Sequence, residues 1–93
     1  MNIKEFIDNV VNDESLLNLF CDLYFRWEDE RMYEDINDYA RAILNHIIVN
    51  TNETPTFICG TCEPFGVLVH FNRKLIHFTL KIENDYANIC ARV

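Results

Sequence analysis

The sequence is poor in residues that interrupt regular structure, with only two glycines and two prolines among 93 residues. That scarcity excludes a low-complexity linker or a disordered tail, which lack the apolar content to offset the entropy of ordering. It also excludes a phosphate-cradling glycine loop, since Gly60 and Gly66 are the only glycines available. Long apolar runs are missing too. None approaches the roughly 20 residues of a membrane-spanning helix, and Met1-Asn2-Ile3-Lys4-Glu5 does not show the charged-then-apolar start of a signal peptide. A cytoplasmic protein is expected. Basic residues are scarce, eight against fifteen acids, and the net charge of −7 disfavours direct contact with nucleic acid or anionic membranes.

What is present is apolar: 49% hydrophobic and 13% aromatic residues, enough for one core in a chain too short to support two. Residues 1–93 are therefore expected to form a single domain, helical over 2–50 and sheet-forming over 56–93. Residues 1–50 carry eleven acids and four bases, whereas residues 51–93 carry four of each. The whole net charge belongs to the first half.

Ile3, Phe6, Ile7, Val10 and Val11 recur at helical spacing, with Asn2 and Glu5 placed for a capping box, predicting a helix over about 2–11. After Asn12-Asp13, the stripe Leu16, Leu17, Phe20, Leu23, Tyr24, Trp27 predicts a second helix capped by Asp13 and running to about Arg31. A third stripe, Ile36, Tyr39, Ala40, Ile43, Leu44, Ile47, Ile48, ends near Asn50. Residues 51–55 read as a loop.

From there the period becomes two. Ile76, Phe78, Leu80 and Ile82 lie on one face of a strand, and Ala87, Ile89, Ala91 and Val93 on one face of the next. Two-residue turns at Asn72-Arg73 and Asn84-Asp85 pair Val69 with Ile76, Val67 with Phe78, Ile82 with Ala87 and Leu80 with Ile89, apolar opposite apolar throughout. Residues 56–59 can add a first short strand, joined by a turn over residues 60–64 to a strand over residues 65–71. The expected fold is α+β, three N-terminal helices packed on one face of a three- or four-stranded C-terminal antiparallel meander.

Little in the chain suggests catalysis. Cys59 and Cys62 have the spacing of a zinc knuckle or a redox pair, but a structural zinc site needs four ligands, and only Cys90, His70 and His77 could supplement them. The register places those three on the outer face, with Cys90 opposite Thr79 and His77 opposite Arg92, a poor setting for a cation. Free thiols are the stronger reading, and no metal or cofactor is expected. His70 and His77 are diagonal neighbours on that face, but no nucleophile is paired with them. His46 lies at the boundary of the third helix's apolar stripe. A non-enzymatic protein is expected.

The remaining signal is acidic. Glu28, Asp29, Glu30, Glu34, Asp35 and Asp38 fall within eleven residues, relieved only by Arg31. They fit an ordinary solvated helix end, with Arg26–Glu30 and Arg31–Asp35 at four-residue spacing. They also fit a negative surface offered to a basic protein, competing for a groove that holds nucleic-acid phosphates. Trp27, Tyr33 and Tyr39 flank the acids, and Tyr33 is the one outside the core stripes. The candidate partner-binding residues are Glu28, Asp29, Glu30, Tyr33, Glu34, Asp35 and Asp38.

At class level this acidic run, in a compact chain without catalytic apparatus, resembles the small acidic proteins that phages and mobile elements encode to disarm host enzymes. These include anti-CRISPR and anti-restriction inhibitors and, less closely, nuclease immunity proteins. The resemblance implies a stoichiometric inhibitor of a host nucleic-acid-handling protein, a nuclease for example, acting in the host cytoplasm. The alternative is a homo-oligomeric structural or adaptor module associating through the outer face of the sheet, where Leu68, His70, Leu75 and His77 mix apolar and polar groups.

Overall fold

A computed structural model describes residues 1–30 and 35–93, with Glu30 described by its backbone alone. Three helices, α1 (Ile3–Asn9), α2 (Glu14–Glu30) and α3 (Ile36–Thr51), precede four strands, β1 (Thr56–Cys62), β2 (Phe65–Phe71), β3 (Lys74–Glu83) and β4 (Tyr86–Arg92). The class is α+β. Among the described residues no helix is long and apolar enough to cross a membrane.

Short polar side chains set the helix starts. The Asn2 side chain accepts from the Glu5 amide at 2.8 Å, Asp13 from the Leu16 amide at 3.0 Å, and Asp35 from the Asn37 amide at 3.0 Å. Each satisfies one amide that has no partner within its own helix. The Ile3 amide is met from far along the chain, by Glu53 Oε2 at 2.8 Å, tying α1 to the loop before β1. The first helix is shorter than its apolar spacing predicts: Val10–Asn12 tightens into a 3₁₀ turn, which swings the chain into α2 while keeping Val10 buried. The third runs one residue further, to Thr51, whose hydroxyl bonds back to the Ile47 carbonyl at 2.7 Å.

The sheet is a four-stranded antiparallel meander in the order β1-β2-β3-β4. The pairings Val69–Ile76, Val67–Phe78, Leu80–Ile89 and Ile82–Ala87 all occur as the alternation requires. Asn72 (φ 46) and Arg73 (φ 65) both take the left-handed conformation that a tight hairpin demands, and Asn84 (φ 51) opens the second turn. The inward row of Phe65, Val67, Val69, Ile76, Phe78 and Ile89 joins Phe6, Leu16, Phe20, Ile43 and Ile47 in one buried cluster. Phe20, Ile43, Ile47, Val67 and Phe78 are wholly withdrawn from solvent. At about 1.5–3 kcal/mol per fully buried large apolar side chain, this layer supplies the main drive for folding.

The first strand departs from its expected length. It continues through Cys62, with an irregularity between Phe57 and Cys59, so the segment expected as a turn at residues 60–62 is ladder. Gly60 permits this, because a Cβ there would lie 2.9 Å from the Ile36 carbonyl oxygen and 3.0 Å from the Ala40 Cβ. The bare glycine lets α3 press directly on β1.

Candidate functional site

Two surfaces carry the polar chemistry of the chain, the α2–α3 junction and the outer face of the sheet. At the junction, Glu28 and Asp29 are exposed in the last turn of α2, and Asp35 and Asp38 are exposed at the start of α3. Asp35 has a structural task as the cap of α3, and Asp38 lies in the first turn, where the helix dipole favours a carboxylate. Glu28 and Asp29 sit toward the opposite pole, in the last described turn of α2, which itself contains no basic residue among the described residues. Trp27 anchors this end, its ring 5.7 Å from that of Phe65. Tyr39 is buried and belongs to the core. The expected site residues Tyr33 and Glu34, and the side chain of Glu30, lie outside the described residues, as does the Arg31–Asp35 pair. Arg26 bonds Asp22 at 3.3 Å, one turn back along α2.

On the outer face the register sets Cys59, Leu68, His77 and Arg92 in one row across the four strands, and Thr61, Gly66, Thr79 and Cys90 in the next. Gly66 leaves the floor of that second row bare. Over it the Thr61 hydroxyl on β1 reaches His77 Nε2 on β3, at 2.8 Å, while also lying 2.7 Å from the Pro64 carbonyl oxygen. A carbonyl only accepts, so the single hydroxyl proton of Thr61 goes to Pro64 and its oxygen receives a proton from His77. That assigns the Nε2–H form to this imidazole. Partial burial first, and the Arg92 guanidinium second, hold its pKa below the ordinary value of 6.5.

The sequence pattern placed His70 beside His77, and the two are diagonal neighbours in the ladder, but His77 gives its hydrogen bond to Thr61. Nothing in the spacing marks that contact, which spans two strands; a glycine inside an otherwise apolar strand was the one available signal. His46 is half-buried, 3.4 Å from Asp13 and edge-on to Phe6. Cys59 pairs with Leu68 and Cys62 with Phe65, an odd offset that sends the two thiols to opposite faces of β1. Burial pushes the Cys21 thiol up, away from the reactive thiolate. Among the described residues no three His, Cys, Asp or Glu side chains gather as a metal site. Comparisons of the chain with protein-family models, curated proteins and solved structures find no match.

Proposed function

We propose that the protein is a non-enzymatic binding protein that inhibits a nucleic-acid-handling protein by presenting its carboxylate-bearing helix junction to a basic surface, in the manner of anti-CRISPR inhibitors. The observation that carries this reading is the position of Glu28 and Asp29. Exposed carboxylates in the last described turn of α2, toward its carboxyl end, run against the helix dipole, where a lysine or arginine would serve folding better. Residues that work against local stability point to a task other than folding. The helix ends that flank the junction are anchored, by Trp27 on Phe65 on one side and by the Asp35 cap on the other, which lowers the ordering cost of association for the carboxylates they carry. Negative charge displayed this way speeds encounter with a basic groove and occupies the place of phosphates.

The test compares the protein with an E28Q/D29N/D35N/D38N variant, titrated against candidate nucleases and DNA-binding proteins by size-exclusion chromatography. Asn at position 35 keeps the cap, because its side-chain oxygen can accept the same amide. A stoichiometric complex that weakens as salt rises, and that the variant fails to form, is the expected result. Equal binding by the variant refutes the acidic mechanism. The second reading, self-association through the outer face, draws on Leu75, 49% exposed beside His70. It predicts a concentration-dependent mass that salt does not reduce.

A further inference from the structure

We infer that the outer face of the sheet holds an oxyanion-binding groove, centred on His77, Thr79 and Arg92, that takes a small organic phosphate or carboxylate. The groove is open and encloses about 510 Å³, with Lys81 and Cys90 adding to its polar lining and Pro64, Leu80 and Ile82 forming the apolar part. That volume exceeds the need of a bare ion and falls in the range of small-molecule sites, roughly 300–1,000 Å³.

Its charge runs against the rest of the molecule. The chain has fifteen acids against eight bases, yet among the described residues no carboxylate lines this groove, while a guanidinium and an ammonium do, beside an imidazole whose single N–H goes to Thr61. The register brings them together: His77 stands directly opposite Arg92, and Thr79 opposite Cys90, with Lys81 next along the same face of β3. Directly opposed side chains in a sheet begin about 5 Å apart, close enough for one bound oxyanion to meet several donors. Arg92 has no carboxylate within ion-pair distance among the described residues. Lys81 touches Glu83 at 3.2 Å, but both are more than half exposed, and such a pair is weak enough to yield to a ligand.

The imidazole is positioned before any ligand arrives. Thr61 fixes its Nε2–H, and Thr61 is in turn fixed by the Pro64 carbonyl, so the ring cannot turn without breaking its bond to an oxygen that is itself held in place. Arg92 is one of the two causes that hold this ring neutral. An anion seated against the guanidinium offsets that cause, so binding has a signature at His77 besides occupancy itself. The carboxylates facing away on the helical layer have no part in it, which separates this groove from the proposed inhibitory surface.

The test is a titration followed by amide and imidazole NMR at neutral pH and constant ionic strength, using inorganic phosphate, phenyl phosphate, acetate and benzoate as probes. Saturable shifts confined to His77, Thr79, Cys90 and Arg92, with the His77 titration moving to higher pH, are expected, and the tighter pair of probes names the headgroup. R92Q, at an exposed position whose loss leaves the core intact, is expected to weaken binding about tenfold or more, the size of a lost charge-assisted hydrogen bond. R73Q in the β2–β3 turn, and E28Q/D29N, are expected to bind as the unaltered protein does. Absence of saturation with all four probes overturns the inference. So does R92Q binding unchanged, or shifts that spread equally to Arg41 and Arg73.

Discussion

Asn37, in the first turn of α3, accepts the Gly60 amide at 2.7 Å, closing with a side chain a hydrogen bond that β1 as an edge strand cannot find in the sheet. The same contact seats α3 where Gly60 has no side chain to hold it off. Replacing Asn37 with Ala improves helix propensity, so any loss of stability isolates the bond. An unmet amide at this half-buried position costs about 1–3 kcal/mol. N37A is expected to lower the melting temperature by about 4–8 °C per kcal/mol lost, and to speed hydrogen exchange at the Gly60 amide more than at other β1 amides. Unchanged exchange at Gly60 speaks against an edge-closing role.

Gly66 makes a sterner demand. A Cβ there would collide with the Phe78 carbonyl and the Thr79 backbone, so β2 and β3 approach each other only because this residue has none. G66A is expected to unfold the sheet or shift its register, a larger loss than G60A, whose clash falls on a helix that can move outward. Soluble yield and the dispersion of strand amides in an NMR spectrum separate the two. A folded G66A with native Val67–Phe78 contacts contradicts this account.

His77 gives the stability a definite slope with pH. Its folded pKa lies below the ordinary 6.5, through burial and then Arg92, so the unfolded chain binds the proton more readily than the folded one. The contribution is fully present above 6.5 and is lost as pH falls toward the depressed folded value. Denaturant midpoints measured from neutral to mildly acid pH are expected to fall more steeply for the unaltered protein than for H77Q. Parallel profiles mean that the imidazole titrates alike in both states.

Asp13 serves two partners, the Leu16 amide at 3.0 Å through one oxygen and His46 Nε2 at 3.4 Å through the other. The short amide bond carries more of the stabilisation than the long contact to His46. D13A is expected to cost about 1 kcal/mol, the usual worth of an N-cap, and D13N less than half of that because Asn also caps. Urea unfolding with an unchanged slope checks both. If D13N proves as costly as D13A, the histidine contact is the larger of the two.

The hairpins were legible in the sequence because alternation with a period of two allows only one register that keeps Val67, Phe78, Leu80 and Ile89 on one face. The caps at Asn2 and Asp13 were legible for a similar reason: short acceptors preceding apolar stripes have few other uses. Cys59–Cys62 misled, since its spacing suits a turn and only the approach of α3 over Gly60 keeps it extended. The Thr61–His77 bond was invisible, because it depends on what Gly66 lacks rather than on any pattern. The acidic run was plain in composition, but only the structure puts Glu28 and Asp29 in the last described turn of α2.

That position makes Asp29 the residue where fold and function should part. A carboxylate in the last described turn of α2 lies toward the negative end of the helix dipole, a penalty of about 0.3–1 kcal/mol for an exposed group at a helix terminus. D29N removes the charge and D29K reverses it. Both are expected to stabilise the isolated protein, D29K more, and the gain should shrink as salt screens the dipole. The same two substitutions are expected to weaken binding to a basic partner, again D29K more. Stability and affinity moving in opposite directions along this series is the mark of a residue kept for recognition. If D29K raises stability and leaves partner binding intact, the end of α2 is a solvated terminus and the inhibitory surface must be sought elsewhere.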